Sequence, residues 1–165
     1  MSDRHMSIWG VGPIYFSTIL IVTAVVAILN LNGKLPVYEF SVILLPILVG
    51  IILIVIGITL WISAVIFSKL VAKIKSNTLV TNGVFAYVRN PIYSAIMFIC
   101  AGIIFLLNNV LLLVIPLLYW GFLTILLVHT EEKWLLKLYK QEYVEYCKTV
   151  NRCIPFFQRK SKLVN

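Results

Sequence analysis

The fold is decided by a run of 28 residues without a charged side chain, FSVILLPILVGIILIVIGITLWISAVIF, residues 40–67. About 20 consecutive apolar residues suffice for a helix to cross the hydrocarbon core of a bilayer, so this run predicts a membrane span that tilts or extends past the lipid. Pro46, Gly50 and Gly57 interrupt the run. These residue types are tolerated in membrane helices when neighbouring helices pack closely, and the glycines permit such packing without demanding it.

The remaining apolar segments predict three further spans. No Asp, Glu, Lys or Arg lies between Asn90 and Glu131. That stretch is too long for one span, so it predicts a hairpin of two helices joined by a tight turn at Asn108–Asn109. We place the three spans at Val11–Leu31, Pro91–Leu107 and Val110–Val128.

The composition agrees with a membrane protein. Hydrophobic residues make up 61% of the 165 residues and charged residues only 12%, with a mean hydropathy of +1.01. Soluble domains carry about 25% charged residues. We therefore predict an all-α integral membrane protein of about four transmembrane helices, forming a single domain over residues 1–165.

The net charge of +8 does not indicate nucleic-acid binding, because the basic residues flank the apolar runs and form no separate basic domain. Arg4, the connection 68–90 and the C-terminal tail hold nearly all Lys and Arg, whereas the other turns hold only Lys34. The positive-inside rule places the basic segments, and with them both termini, in the cytoplasm. Membrane lipids are the partners that this charge pattern predicts. The oligomeric state stays open.

The tail beginning at Glu131 reads EEKWLLKLYKQEYVEYCKTV, residues 131–150. Two acidic residues open it and lysines follow, an order that suits the helix dipole. Its apolar residues recur at helical spacing, which predicts an amphipathic helix on the cytoplasmic face of the membrane. The residues of this apolar face are Trp134, Leu135, Leu138, Tyr139 and Tyr143, or Val144 in place of Tyr143.

The three cysteines, Cys100, Cys147 and Cys153, form no Cys-x-x-Cys pair, and no histidine cluster accompanies them. We therefore predict neither a disulfide framework nor a metal site. Cys100 lies within an apolar run, where a cysteine behaves as a small core residue.

Polar residues that could act on a ligand are concentrated in two cytoplasmic segments, NTLVTNGVFAYVRNPIY at 77–93 and HTEE at 129–132. Asn90 is a favourable helix cap and Pro91 a favourable first helical residue, so a helix N-terminus would face a polar or anionic ligand. Arg89 stands immediately before this helix. The alternative is a capped hairpin entry in which Arg89 binds lipid phosphate, and the residues alone leave both readings open.

The stretch 78–93 resembles the signature of the isoprenylcysteine carboxyl methyltransferase and phospholipid methyltransferase-like family of integral membrane methyltransferases. That signature runs Leu-Val-x-x-Gly-x-Tyr, a short spacer, then Arg-His-Pro-x-Tyr. The family continues with a helical hairpin and a Glu-Glu pair, here Glu131–Glu132, and with a Glu-Tyr-x-x-Tyr tail, here at 142–146. The resemblance covers roughly residues 77–157, about half of the chain.

The resemblance implies transfer of a methyl group from S-adenosyl-L-methionine to a lipophilic acceptor that arrives from the bilayer, at the cytoplasmic face. We predict catalytic roles for Arg89 and Asn90, and for His129 because of its position near Glu131, together with acceptor contacts for Leu127 and Glu132. His129 would act as a base only if the acceptor has to lose a proton, and its alternative is an ordinary interfacial residue. For the glutamates the alternative is helix-start chemistry. The implied cofactor-binding residues are Asn77, Thr78, Leu79, Val80, Phe85, Tyr87, Asn90, Pro91, Ile92, Tyr93 and Glu131.

Three positions depart from the family pattern. Phe85 stands in place of a tyrosine, Asn90 in place of the signature histidine, and Leu127 in place of an arginine that prenylcysteine methyltransferases have one turn before the glutamate. The last difference weighs against a prenylcysteine acceptor. Two other functions therefore stay open: an NADPH-dependent membrane reductase like the sterol reductases, which share an Arg-x-Pro-x-Tyr element, and a catalytically inactive membrane scaffold.

Overall fold

The structure, a computed structural model, describes residues 10–67 and 78–155. The predictions for Arg4 and Asn77 lie outside these ranges. The described chain forms five α-helices, one short π-helix and two short 3-10 helices, and its one strand-like feature is an isolated parallel bridge between Val88 and Asn151. The helices are α1 Gly12–Leu31, α2 Leu44–Ile62, α3 Pro91–Leu106, α4 Val114–His129 and α5 Glu131–Thr149.

The all-α membrane fold predicted from the sequence is confirmed. Three stretches of helix are long and apolar enough to cross a membrane, and α3 is a shorter apolar helix of 16 residues. The predicted count of four spans is therefore approximate. The three long stretches are Gly12–Leu31, Leu44–Ile66 and Val110–His129.

The second span differs from its prediction at both ends. Residues 40–43 precede the helix, which begins at Leu44 and places Pro46 in the first turn, where a missing N–H leaves no bond broken. The last turns, Ser63–Phe67, are wound as a π-helix. The α-helical part is thus shorter than the apolar run from which it was predicted.

The shortest apolar helix, α3, is the centre of the bundle because α1, α2 and α4 all pack against it. More of its residues are buried than in any of its three neighbours. One core cluster joins α1, α3 and α4 through Tyr15, Met97, Cys100 and Leu123, which confirms the prediction for Cys100.

Glycines let the backbones of α2 and α3 approach closely. A methyl group added to Gly102 would lie 2.6 Å from the carbonyl oxygen of Gly50, and one added to Gly57 would lie 2.7 Å from the carbonyl oxygen of Ala95. Membrane helices gain little from hydrophobic burial against each other, so close van der Waals contact across small residues is a main source of their association. This explains why glycine occurs at helical positions where it is otherwise unfavourable.

The predicted turn between α3 and α4 is confirmed, and it anchors the end of the bundle remote from α5. Asn108 adopts a positive φ of 51°. Asn109 is buried, donates to Oδ1 of Asn30 at 2.8 Å and to the Pro36 carbonyl at 3.0 Å, and accepts from the Tyr38 amide at 3.2 Å. One side chain therefore ties the hairpin turn to the connection between α1 and α2.

The prediction of a continuous tail helix is wrong at one residue. Lys140 has φ 47° and ψ −120°, which breaks the helical path between residues 139 and 141. The second half of α5 thereby buries Tyr143 and Tyr146, and the Tyr146 hydroxyl donates to the Phe85 carbonyl at 2.6 Å. These tertiary contacts outweigh the local preference for an unbroken helix. The predicted apolar face is confirmed, since all five of its residues are at least partly buried.

Adding one methyl group at the glycine contact should destabilise the protein. We expect Gly102→Ala to lower the free energy of unfolding by about 1–3 kcal/mol, because the Gly50 backbone cannot move away without displacing α2. Thermal unfolding of the purified protein in detergent measures the effect.

The matched control is Gly121→Ala in α4, where an added methyl group meets nothing within 4 Å. This change should be neutral or stabilise by about 0.5–1 kcal/mol, since alanine is the better helix former. Equal unfolding temperatures for the two variants would contradict the close contact.

Candidate functional site

The start of α3 is built from the sequence Arg89-Asn90-Pro91. Pro91 is the first helical residue, as predicted, and it is buried. The Asn90 carbonyl accepts bonds from the amide and the hydroxyl of Ser94. Its side chain makes no cap, contrary to the prediction, because its amide donates instead to the Arg152 carbonyl at 3.1 Å. Asn90 therefore joins the helix start to the end of the tail.

Glu131, the first residue of α5, directs its carboxylate toward the beginning of α1. Oε1 accepts the Val11 amide at 2.9 Å and a short hydrogen bond from the Tyr93 hydroxyl. Gly10 also lies against this oxygen with φ +47°, so that neither the space nor the backbone conformation suits a side chain there. An acidic group is favourable at this position because the N-terminus of α1 carries a partial positive charge.

Aromatic rings cover the Tyr93–Glu131 contact on the side of the bundle. The ring of Phe16 lies 5.5 Å from that of Tyr93, and the ring of Tyr15 lies 6.1 Å from it, in an edge-on arrangement. Such pairs add to the stability that burial provides. The carboxylate of Glu131 is thus half-buried at the edge of an apolar, aromatic-lined interior.

Glu132, the next residue, points to a different partner. Its carboxylate receives two bonds from Arg152, Nε to Oε1 at 2.5 Å and Nη2 to Oε2 at 2.9 Å, and pairs with Nη1 of Arg89 at 3.3 Å. The Arg89 side chain is only 8% exposed and that of Glu132 15%. Two guanidinium groups share one carboxylate, so the cluster keeps one excess positive charge.

The buried Arg89 guanidinium also contacts the second half of α5. Nη1 donates to the Tyr143 hydroxyl at 3.3 Å and contacts Sγ of Cys147, and the guanidinium carbon lies 5.9 Å from the centre of the Tyr143 ring. Burial raises the pKa of the Tyr143 phenol and of the Cys147 thiol, and the charge of Arg89 only partly offsets this. Both groups are therefore neutral at physiological pH.

Backbone contacts fix the same segments together. The Arg89 amide donates to the Asn151 carbonyl at 2.9 Å, beside the bridge between Val88 and Asn151. Cys153 follows Asn151 by two residues and is buried, and this burial raises the pKa of its thiol to about 11. The end of the tail thus returns to the loop that precedes α3.

The described residues of the predicted cofactor segment pack against the tail and against the π-helical turn at the end of the second span. Leu79 packs against the second half of α5, whereas Val80 and Phe85 are buried against Ala64 of the π-helical turn. Their side chains are occupied by packing, which leaves backbone groups for the predicted ligand contacts. Thr78 and Tyr87 are exposed and Ile92 is half-buried.

The remaining predicted residues lie apart from these two glutamate contacts. Leu127 is fully buried in the core cluster with Tyr15 and Cys153. His129 is exposed at the last turn of α4. The structure therefore brings together Tyr93 with Glu131 and Arg89 with Glu132, but it does not join His129 to either pair.

Four contact residues were absent from the predicted site: Val11, Tyr143, Cys147 and Arg152. Tyr143 belongs to the Glu-Tyr-x-x-Tyr pattern of the family resemblance, so a signal for this residue existed. For Val11, the glycines on either side are the only local indication of a close contact, because its partner Glu131 lies 120 residues away.

A sequence profile of phospholipid methyltransferases matches residues 40–142, which is more than half of the chain. The chain belongs to the phospholipid methyltransferase family. The match includes α2, α3, α4 and both glutamates of the first turn of α5. The resemblance found in the sequence is therefore confirmed.

A relative from Schizosaccharomyces pombe, protein-S-isoprenylcysteine O-methyltransferase, is 37% identical over 92 residues. The aligned region covers 54% of this chain and 39% of the relative, so the match spans well under half of the relative's length. No solved structure matches the chain.

Removing the charge of Glu132 should destabilise the site strongly. In Glu132→Gln the buried Arg89 loses its only carboxylate partner among the described residues, which should cost about 3–5 kcal/mol of unfolding free energy. Unfolding in detergent micelles measures this loss.

The control is Glu145→Gln, which breaks an ion pair with Lys148 in which both side chains are more than half exposed. Exposed pairs contribute little, so its unfolding should match that of the wild type. A Glu132→Gln variant as stable as Glu145→Gln would show that the buried cluster does not hold the tail.

Proposed function

We propose that this protein is a membrane-embedded methyltransferase that uses S-adenosyl-L-methionine and methylates a lipophilic acceptor at the cytoplasmic face. The observation that carries the proposal is the half-buried carboxylate of Glu131, placed beside Tyr93 at the edge of an aromatic-lined membrane bundle. Membership of the phospholipid methyltransferase family supplies the reaction class.

The residues around Glu131 fit the polar groups of this cofactor. Its ribose hydroxyls and its amino group are hydrogen-bond donors, and an ionised carboxylate is an acceptor with about four lone-pair sites on two oxygens. Within the described residues, the hydrogen bonds of Glu131 all go to Oε1. We propose that Oε2 receives the donors of the cofactor while Oε1 keeps its bonds to Val11 and Tyr93.

The predicted segment 77–80 and the start of α3 complete the proposed cofactor site. Leu79 and Val80 would contribute backbone groups, since packing occupies their side chains. Asn90, Pro91, Ile92 and Tyr93 would form the wall beside the helix N-terminus. When bound, the cofactor supplies a methyl group activated on a sulfonium; the residues of the chain orient it and exclude water.

The acceptor proposed is a lipid or a lipidated cysteine carboxylate. The name of the family points to the first and the name of the fission-yeast relative to the second. A carboxylate is already a nucleophile and needs no base, whereas an amine has to lose a proton. The exposed His129 is the proposed base only for an acceptor that has to lose a proton, such as a lipid amine.

The distribution of charge supports a cytoplasmic site. Of the described Lys and Arg residues, Lys34 lies in the connection between α1 and α2, and the rest belong to the segments around the glutamates. The first described residues and the end of the tail both contact this region, through Val11 and Asn151. The positive-inside rule makes this side cytoplasmic.

Cofactor binding tests the proposal directly. Titration calorimetry of the purified protein with S-adenosyl-L-methionine should show saturable binding, and Glu131→Gln should weaken it by at least about tenfold, the effect of losing hydrogen bonds to a charged group. Glu142→Gln, on the exposed face of α5, is the matched control and should bind like the wild type.

Transfer of a labelled methyl group to phospholipid amines and to prenylated cysteine then separates the two acceptors. Failure of the well-folded protein to bind S-adenosyl-L-methionine would refute the proposal, and binding of NADPH in its place would favour a reductase. Cofactor binding without transfer to any acceptor would favour an inactive scaffold.

A further inference from the structure

The first half of α5 carries a basic stripe on its outer face, consisting of Lys133, Leu136, Lys137 and Lys140. The first three recur at the i, i+3, i+4 spacing that aligns residues on one face of a helix, and Lys140 follows at the kink. All four are exposed, Leu136 to 47%. Two lysines therefore share one helix face with an exposed apolar side chain, and a third positive charge follows at the kink.

In the part of the chain that the structure describes, the lysines of this basic stripe have no acidic partner. Glu131 and Glu132 lie on the same half-helix, but both carboxylates face inward to the contacts described above. Among residues 10–67 and 78–155 the ion pairs are Arg89 with Glu132, Arg152 with Glu132, and Lys148 with Glu145. The two carboxylates of this half-helix are thus occupied by inward contacts, and the positive charges of its lysines remain on the outer face.

The kink at Lys140 separates the basic stripe from the exposed acids of α5. Glu142 and Glu145 are exposed, and both follow the kink. The backbone changes direction between the two halves, so the second half with its acids does not continue the line of the basic stripe. This arrangement suits a negatively charged surface that meets the first half alone.

The position of the basic stripe identifies that surface. α5 begins two residues after the end of α4, a membrane-spanning helix, and the basic stripe lies within about 14 Å of the start of α5 along the helix axis. We propose that the basic stripe binds the headgroups of anionic phospholipids, with Leu136 inserted at the boundary of the acyl chains. The occupant is the bilayer surface itself, because the short connection at Thr130 keeps the start of α5 near the end of a membrane-spanning helix.

This inference does not rest on methyl transfer. It would hold for an inactive scaffold, and it assigns to the outer face of α5 a role distinct from that of the glutamates on its inner face. Lipid charge would then control how firmly the first half of α5 is held at the membrane surface. Because Glu131 and Glu132 lie on this half, their positions would depend on lipid charge as well.

The test compares amide hydrogen exchange of residues 131–139 in nanodiscs of phosphatidylcholine alone and of phosphatidylcholine mixed with phosphatidylglycerol. In the wild type, the anionic lipid should slow exchange by roughly fivefold or more, since one lysine near an anionic surface contributes about that factor. High salt should abolish the difference, because it screens exposed charges.

The informative variant is Lys133→Gln/Lys137→Gln, which should lose most of the difference in exchange between the two lipids, because only Lys140 of the basic stripe remains. The matched control is Lys34→Gln/Lys148→Gln, which removes the same number of charges outside the basic stripe and should keep the wild-type difference. Unfolding in neutral nanodiscs verifies that both double variants are folded. Identical exchange of the wild type in both lipids overturns the proposal in favour of a solvated face. Protection by added polyglutamate but not by phosphatidylglycerol overturns it in favour of an acidic protein partner.

Discussion

Two consecutive glutamates at the start of α5 hold the described chain together by pointing to different partners. Neighbouring residues on a helix are about 100° apart around its axis, so Glu131 and Glu132 cannot share one contact. The carboxylate of Glu131 binds the beginning of α1 and Tyr93 of α3, whereas that of Glu132 binds Arg89 and Arg152. One turn of helix thereby connects the first span, the central helix and the end of the tail.

Glu131 and Glu132 therefore have different physical roles, although their side chains are adjacent and chemically identical. Glu132 neutralises a nearly buried guanidinium, and a buried pair of this kind is costly to break even when it adds little net stability. Glu131 is half-buried beside apolar rings and keeps one oxygen outside these contacts, which suits a residue that holds a ligand. The proposed function depends on this difference between the two residues, since the ion pairs of Glu132 with Arg89 and Arg152 fix the start of α5 and thereby keep Glu131 in place.

The parts of the fold that depend on local sequence could be predicted. Long runs without charge determine the spans, and the turn at Asn108 and the helix start at Pro91 follow from residue types that favour those conformations. The kink at Lys140 could not be predicted, because it opposes a local helical preference and arises from the contacts of Tyr143 and Tyr146 with a distant loop. The contact between Val11 and Glu131 is equally non-local. For the site, the pattern identified Arg89, Tyr93 and both glutamates as important, but only the fold shows which of them are partners.

A pair of double-mutant cycles tests most directly whether Glu131 and Glu132 have separate partners. The unfolding free energy in mixed micelles is measured for Tyr93→Phe combined with Glu131→Gln, and for Tyr93→Phe combined with Glu132→Gln. We predict a coupling energy of about 1–2 kcal/mol in the first cycle, as expected for a charge-assisted hydrogen bond, and none in the second. Coupling of Tyr93 to Glu132, or none to Glu131, would contradict this prediction.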